Sequence, residues 1–339
     1  MRNDSSPDGH PTQPPTSTPN SNSTPSTNSA PSTNSAPSTS AAPTRVGIFA
    51  PSSPFERDRF DQGLSVLETL GFSYRIHPQT TARAGYLAGD DATRLSAFLD
   101  LLRDDSIDVI MAARGGYGAH RLLERLPLDE RAELKAMAAK KLLVGFSDVT
   151  ALHALFQSLG LVSIHGPVVT QLCDLSRHDH LVLAHALRHE SEHLEYEAEG
   201  PIIHKGLTSG RLVGGCLSIL TPLIGTPFLD WDDGVVLLIE DVAEAPYRVD
   251  RMLTHLRLSG ILKSVRAIAV GDLVRCDTAR AGEQSIEDVL RDRLGDLGIP
   301  VVAGFPFGHG TRNAAVPLGR IALFDADARR LVLTPTHAL

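Results

Sequence analysis

Residues 140–150, KKLLVGFSDVT, place a serine where a short apolar run meets a stretch of helical period. A strand, a sharp turn and a helix in that order lift the turn residue clear of the sheet. They also bring the amides of the next helix's first turn close enough to receive an anion. Ser147 is therefore a candidate nucleophile. A reading without chemistry stands beside it. Ser and Asp are favoured at helix starts because their side-chain oxygens accept an otherwise unpaired backbone N–H, so Ser147 or Asp148 would serve as a cap. The segment also departs from the G-x-S-x-G pattern of many nucleophile turns, since Val149 stands where the second glycine belongs.

Three further groups could share a site with Ser147. The cluster ARGGYGAHRL at 113–122 follows an apolar strand. Glycines there let backbone amides approach a ligand, as an oxyanion loop or phosphate cradle, or simply make a tight turn. The cluster lacks the Lys-Ser/Thr of a P-loop and the G-x-G-x-x-G register. Glu240 and Asp241 close the apolar run GVVLLIE at 234–240, either as functional carboxylates or as solvated strand-end acids. Among fourteen histidines, His309 (between two glycines) and His165 (before Gly166-Pro167) have settings that suit a general base, and each could equally be a loop histidine satisfied by backbone. His178, His180, His185, His189 and His193 lie in a helical stretch at 176–193. Without flanking Cys or carboxylate ligands they read as a solvated face and not as a metal site.

The elements that must carry these residues alternate. Strands are expected at 45–50, 72–76, 107–112, 141–145 and 161–164, with helices near 55–70, 92–102 and 149–159 between them. Such alternation implies βαβ units and a parallel sheet, whose site lies at the carboxyl ends of the strands. An acidic, then mixed stretch at 194–207 reads as a linker between an N-terminal α/β domain (44–193) and a C-terminal domain (208–339). The second domain offers strands at 234–240, 266–270 and 300–303, helices at 245–256 and 283–294, and a closing hairpin at 321–324 and 331–333.

A net charge of −8 over 339 residues, without a polybasic run, argues against nucleic acid or an anionic membrane as partner. Cys173, Cys216 and Cys276 are odd in number and widely spaced, which suggests neither a disulfide framework nor a zinc site and fits a reducing compartment. Residues 1–43 are almost wholly Ser, Thr, Pro, Asn and Ala and read as a disordered tail. The tail holds no apolar h-region, and no apolar run of about 18 residues follows, so a cytoplasmic location is expected; a surface stalk would need an export signal.

Taken together, RGGYG at 114–118, GFSD at 145–148, Gly214-Gly215, LIEDV at 238–242 followed by APYRVDRM at 245–252, and FGH at 307–309 resemble the LD-carboxypeptidase (muramoyltetrapeptide carboxypeptidase) family, in one consistent order. The resemblance runs from about Arg45 to the C-terminus and leaves the tail outside. It implies a Rossmann-like parallel-sheet domain, a smaller C-terminal α/β domain and an active site between them. It further implies a Ser-His-Glu peptidase with Ser147 as nucleophile, His309 as general base and Glu240 as the carboxylate that orients the imidazole. The backbone N–H groups of Gly116 and Asp148 would be the oxyanion donors. The substrate implied is the peptidoglycan stem tetrapeptide, cut between the L-centre of its diamino acid and the terminal D-alanine during cell-wall recycling. No cofactor and no metal are implied, and similar proteins suggest a homodimer. Arg114 and Arg248 stand beside the motif loops and are candidates for holding the terminal carboxylate. Two other readings are a microcin C self-immunity-like peptidase acting on peptidyl or aminoacyl nucleotides, and a non-catalytic peptide-binding α/β protein. The first would be expected to offer an aromatic platform for the base, and Trp231 is the sole tryptophan.

Overall fold

The computed structural model describes residues 44–126, 128–188, 193–231, 234–277 and 282–333; the expected tail at 1–43 lies outside them. Along the chain the described elements are β1 (Arg45–Phe49), α1 (Arg57–Thr69), β2 (Ser73–Ile76), α2 (Asp91–Arg103), β3 (Val109–Ala112), α3 (Ala119–Glu124), α4 (Arg131–Ala138), β4 (Leu142–Gly145), α5 (Thr150–Ser158), β5 (Ser163–His165) and α6 (Arg177–Arg188). There follow β6 (Leu194–Glu197), β7 (Ile202–His204), β8 (Leu207–Cys216), α7 (Leu217–Leu220), β9 (Val235–Val242), α8 (Pro246–Ser259), β10 (Val265–Val274), α9 (Ile286–Leu294), β11 (Val301–Ala303), β12 (Val316–Leu318), β13 (Ile321–Asp325) and β14 (Arg330–Leu333).

Two sheets result. The first has the order β12-β5-β4-β3-β1-β2 and is parallel except for β12, which runs antiparallel to β5. The second has the order β6-β14-β13-β8-β9-β10-β11-β7, with β8 to β11 parallel and the outer strands antiparallel. The α/β class expected from the alternation is observed. β3 and β4, β1 after Arg45 and β9 as far as Ile239 are continuous apolar runs because both faces of a parallel strand are covered. The ends of α8 and α9 follow local rules: Pro246 opens α8 in its first turn and Gly260 closes it, while Ser285 and Asp288 form a reciprocal capping box on α9.

Two segments differ from expectation. Residues 194–207, expected as a linker, contain β6 and β7 and the start of β8; β6 and β7 form the two edges of the second sheet. The sequence of β6, LEYE, alternates buried Leu194 and Tyr196 with exposed Glu195 and Glu197, so its charges lie on the solvent side of an edge strand and mask the strand signal. β12 lies beyond the expected boundary, yet it pairs with β5 of the first sheet.

The sheets share one apolar core. A cluster of buried side chains runs from Phe49 and Phe98 through Leu152 and Phe156 to Leu217, Leu237 and Ile239. α5 packs against both β5 and β8 and is buried from Thr150 to Leu155 on every side. The Cys216 N–H donates to Thr150 Oγ1 at 3.0 Å, which ties the end of β8 to the start of α5. Among the described residues no helix is long and apolar enough to cross a membrane.

Leu238, fully buried in the middle of β9, belongs to a separate apolar cluster on the other face of the second sheet, with Leu212, Val236 and Val302, and tests how far that sheet depends on it. Leu238→Ala should lower the unfolding free energy by about 2–5 kcal/mol, read from the denaturant midpoint at unchanged slope.

Candidate active site

Gly145 ends β4, Phe146 is extended, and Ser147 then takes φ 61°, a left-handed conformation unusual for a residue with a side chain. Such strain persists only where surrounding contacts impose it. Here the imposing group is Asp148. Its buried Oδ2 accepts the Ser52 hydroxyl at 2.6 Å and the Ala119 N–H at 2.8 Å, pinning the turn to the loop after β1 and to the first residue of α3. Asp148 is thus a cap, but of α3 and not of the helix that follows it. The Ser147 side chain caps neither the 3₁₀ turn at Ser147–Val149 nor α5. Its hydroxyl points elsewhere.

Ser147 Oγ lies 3.1 Å from His309 Nε2, and His309 Nδ1 lies 2.7 Å from Glu240 Oε2. A carboxylate only accepts, so Nδ1 carries the proton and Nε2 is left to accept the serine hydroxyl. The three groups come from separate places: the turn after β4, the interior of β9, and the loop between β11 and β12. His309 is partly exposed, whereas Glu240 is fully buried. Burial works to raise the Glu240 pKa, but the imidazoles of His165 and His309 that face the carboxylate outweigh it and hold the group below its ordinary value. The Phe146 ring packs on His309 with centroids 4.7 Å apart and limits its tilt.

The loop carrying His309 is held closely. Gly308 has φ 111°, and a Cβ there would fall 2.3 Å from Glu240 Oε2. Its N–H donates to Asn313 Oδ1 at 3.0 Å, and Asn313 in turn donates to Gln171 Oε1 at 2.8 Å. The glycine cluster of 113–122 lies on the other side of Ser147: a Cβ on Gly115 would fall 3.1 Å from Ser147 Cβ. Gly116 follows, exposed and at φ 115°, and the backbone of Tyr117 is tied to Ser53 Oγ at 3.2 Å.

The remaining sequence candidates fall into different positions. His165 is not at the surface of the site. It is fully buried beneath Glu240, with Nε2 3.6 Å from Oε1, just beyond hydrogen-bond length. Asp241 is buried and accepts the Ser218 N–H at 2.7 Å and the Val242 N–H at 2.8 Å; burial pushes its pKa up to about 6. Arg114 is exposed beside Gly115 and donates to the Pro54 carbonyl at 2.6 Å. Arg248 is exposed on α8, pairs with Glu244 at 3.4 Å, and lines a cavity with Ser218, Arg251 and His255. The histidines of 176–193 do not share one helix face: α6 ends at Arg188, His193 precedes β6, and His189 lies outside the described residues. Among the described residues, no group of three or more His, Cys, Asp or Glu is placed to hold a metal ion.

One important residue had no signal in the sequence. His153, on α5, is fully buried; its Nε2 donates to the Gly145 carbonyl at 2.7 Å and its Nδ1 accepts the Ser163 hydroxyl at 2.9 Å, which ties the last residue of β4 to the first of β5. Burial lowers its pKa to about 3, so it is a neutral strut. Its spacing in an apolar helix is that of any core position.

A hydroxyl bonded to an imidazole that is bonded to a buried carboxylate is the arrangement by which serine hydrolases make a weak nucleophile reactive. The family model described as the LD-carboxypeptidase N-terminal domain matches residues 46–166, and that for the C-terminal domain matches residues 209–323. The chain belongs to the LD-carboxypeptidase family, a family of hydrolases. A Synechocystis protein named for carboxypeptidase activity is 39% identical over 294 residues, covering 85% of this chain and 93% of its own. The murein tetrapeptide carboxypeptidase of Pseudomonas aeruginosa is 30% identical over 295 residues, covering 84% of this chain and 94% of its own. Among solved structures, the muramoyltetrapeptide carboxypeptidase from Oxalobacter formigenes is 29% identical with a TM-score of 0.75, over 86% of this chain and all of that one. The microcin C7 self-immunity protein MccF of Escherichia coli is 26% identical over 327 residues, 86% of this chain and 93% of its own.

Gly308→Ala should disturb this site at its base, because the methyl group would occupy the place of Glu240 Oε2 and force a left-handed alanine. A loss of about 1–3 kcal/mol in unfolding free energy is expected, together with a displaced Glu240 carboxylate in a crystal structure of the variant.

Proposed function

We propose that this protein is a serine-type LD-carboxypeptidase that removes the terminal D-alanine from the peptidoglycan stem tetrapeptide. The observation that carries the reading is the unbroken hydrogen-bonded path from Ser147 through His309 to Glu240. In this mechanism Ser147 Oγ attacks the carbonyl at the L-centre of the diamino acid while its proton passes to His309 Nε2. Glu240 holds Nδ1–H in place and stabilises the imidazolium. The developing oxyanion is received by the backbone N–H groups of Gly116 and Asp148, one on each side of the serine; each such donor in a serine hydrolase contributes about 3 kcal/mol to the transition state. Collapse expels the D-alanine amine, which takes the proton from Nε2. Water then enters, gives its proton to the same nitrogen and hydrolyses the acyl-serine, returning the Ser147 hydroxyl and releasing the tripeptide.

A carboxypeptidase also has to hold a free terminal carboxylate. Arg114 suits this better than Arg248, since it adjoins the glycine that touches Ser147, whereas Arg248 is engaged by Glu244. The names of the Pseudomonas and Oxalobacter relatives support the tetrapeptide as substrate. A place in cell-wall recycling, a cytoplasmic location and a homodimeric state complete the reading and rest on the family resemblance. The nucleotide-directed alternative has less support: Trp231 is buried in the apolar core and offers no platform to a base.

Purified wild type incubated with muropeptide tetrapeptide should yield tripeptide and D-alanine by mass spectrometry. Ser147→Ala should lower kcat by roughly 10⁴-fold or more without loss of fold. Because the proposed chemistry runs on serine and imidazole alone, a chelator should leave the wild-type rate unchanged. Tripeptide formation that persists in Ser147→Ala would falsify the assignment of the nucleophile. In a parallel assay Arg114→Ala should raise KM for the tetrapeptide at least tenfold, while Arg248→Ala leaves it within about twofold.

A further inference from the structure

Asp272 takes no part in the mechanism above, yet it borders it. In β10 the pairing with β9 slips between Val270 and Leu273, so that Gly271 and Asp272 together face the single residue Glu240. A bulge of this kind re-aims a side chain, and bulges are frequent beside functional sites. Here the Asp272 N–H donates to the Phe307 carbonyl at 2.9 Å. The side chain is turned toward the loop that carries His309: a Cβ on Gly310 would fall 1.8 Å from Asp272 Oδ2, so a side chain there would displace the carboxylate. The carboxyl group is half-buried against the residue next to the imidazole.

Its charge is unanswered within the protein. Arg312 exerts a distant pull but is held by Glu199 at 2.7 Å, and Glu240 and Glu199 push in the opposite sense. Among the described residues, no Lys or Arg comes within ion-pair distance of Asp272. Burial accordingly pushes its pKa up to about 6. A partly desolvated carboxylate without a counter-ion is unfavourable unless a bound molecule supplies the cation.

We infer that Asp272 is a specificity residue that binds the side-chain ammonium of the diamino acid on the acyl side of the scissile bond. The inference deepens the proposed function and rests on it. The sign of the charge selects the side: a carboxylate here repels the terminal carboxylate of D-alanine, so the leaving residue lies away from it and the cationic residue toward it. The acyl residue is also the one whose carbonyl must sit at Ser147, within reach of the imidazole that Asp272 borders.

The test compares two tetrapeptides that differ only in the third residue, L-lysine or Nε-acetyl-L-lysine, with D-alanine release measured for the full-length protein. Wild type should show a KM about tenfold lower for the free amine. Asp272→Asn should remove that difference by raising KM for the lysine peptide about tenfold, with kcat within about threefold. Asp272→Glu, which retains the charge, should restore part of the preference and guards against a mere folding defect. Asp272→Asn that keeps the wild-type preference, or that lowers kcat equally on both peptides, overturns the inference and leaves the proposed function standing. If wild type releases D-alanine from neither peptide, the proposed function falls and this inference falls with it.

Discussion

A carboxylate with no solvent exposure sets the terms for the rest of this structure. Glu240 is carried inside by β9, whose preceding residues are all apolar and whose burial on both faces leaves no route to water. An isolated charge in such a place costs several kcal/mol unless it is paired. His309 Nδ1 answers Oε2 with a hydrogen bond at 2.7 Å, while Oε1 faces His165 Nε2 at 3.6 Å, just beyond hydrogen-bond length. Room for it is made by Gly308, which a side chain would drive into Oε2, and by the bulge in β10 that opens the neighbouring strand at this level. The imidazole above the carboxylate therefore has one favourable orientation, with Nδ1–H downward and Nε2 turned to Ser147.

The serine end is built by a different device. Ser147 is held in a left-handed conformation, and the energy for that comes from Asp148, which secures the Ser52 hydroxyl and the start of α3, and from His153, which fastens Gly145 to Ser163. Neither end could align with the other if the sheets were free to slide. α5 prevents this, since it is buried between β5 and β8 and belongs to a core that both sheets share. Packing at interior density has few soft modes, so the hydroxyl and the imidazole keep register across a contact between two separate sheets.

Much of this was legible in the residues, and the part that was not has physical reasons. The apolar run into Ser147 and the run into Glu240 are long enough to read as buried parallel strands, and their ends mark where a site must lie. The choice between His309 and His165 was not legible, because both stand beside glycine and the distinction lies in depth: one partly exposed, the other fully buried. The cap reading was half right in a way no local rule could supply, since Asp148 caps a helix that precedes it in the chain. β6 interleaves two glutamates, β12 carries Pro317, and the partners of β6, β7 and β12 lie far away in sequence. His153 sits in an apolar helix, where nothing separates a strut from filler.

β12 shows why that last group matters. The chain leaves β11 in the second sheet, passes through His309, and returns as β12 to pair with β5 in the first, with Val316 opposite His165. The loop bearing the imidazole is thus sewn to both sheets, one at each end. The strand that anchors its far end is the same one whose last residue underlies Glu240. A relative displacement of the sheets would have to break the β5–β12 ladder, lift His165 away from the carboxylate and pull Nε2 from Ser147 together. The short antiparallel pair at the edge of the first sheet is therefore what couples the fold to the geometry of its site, although it holds neither Ser147, His309 nor Glu240.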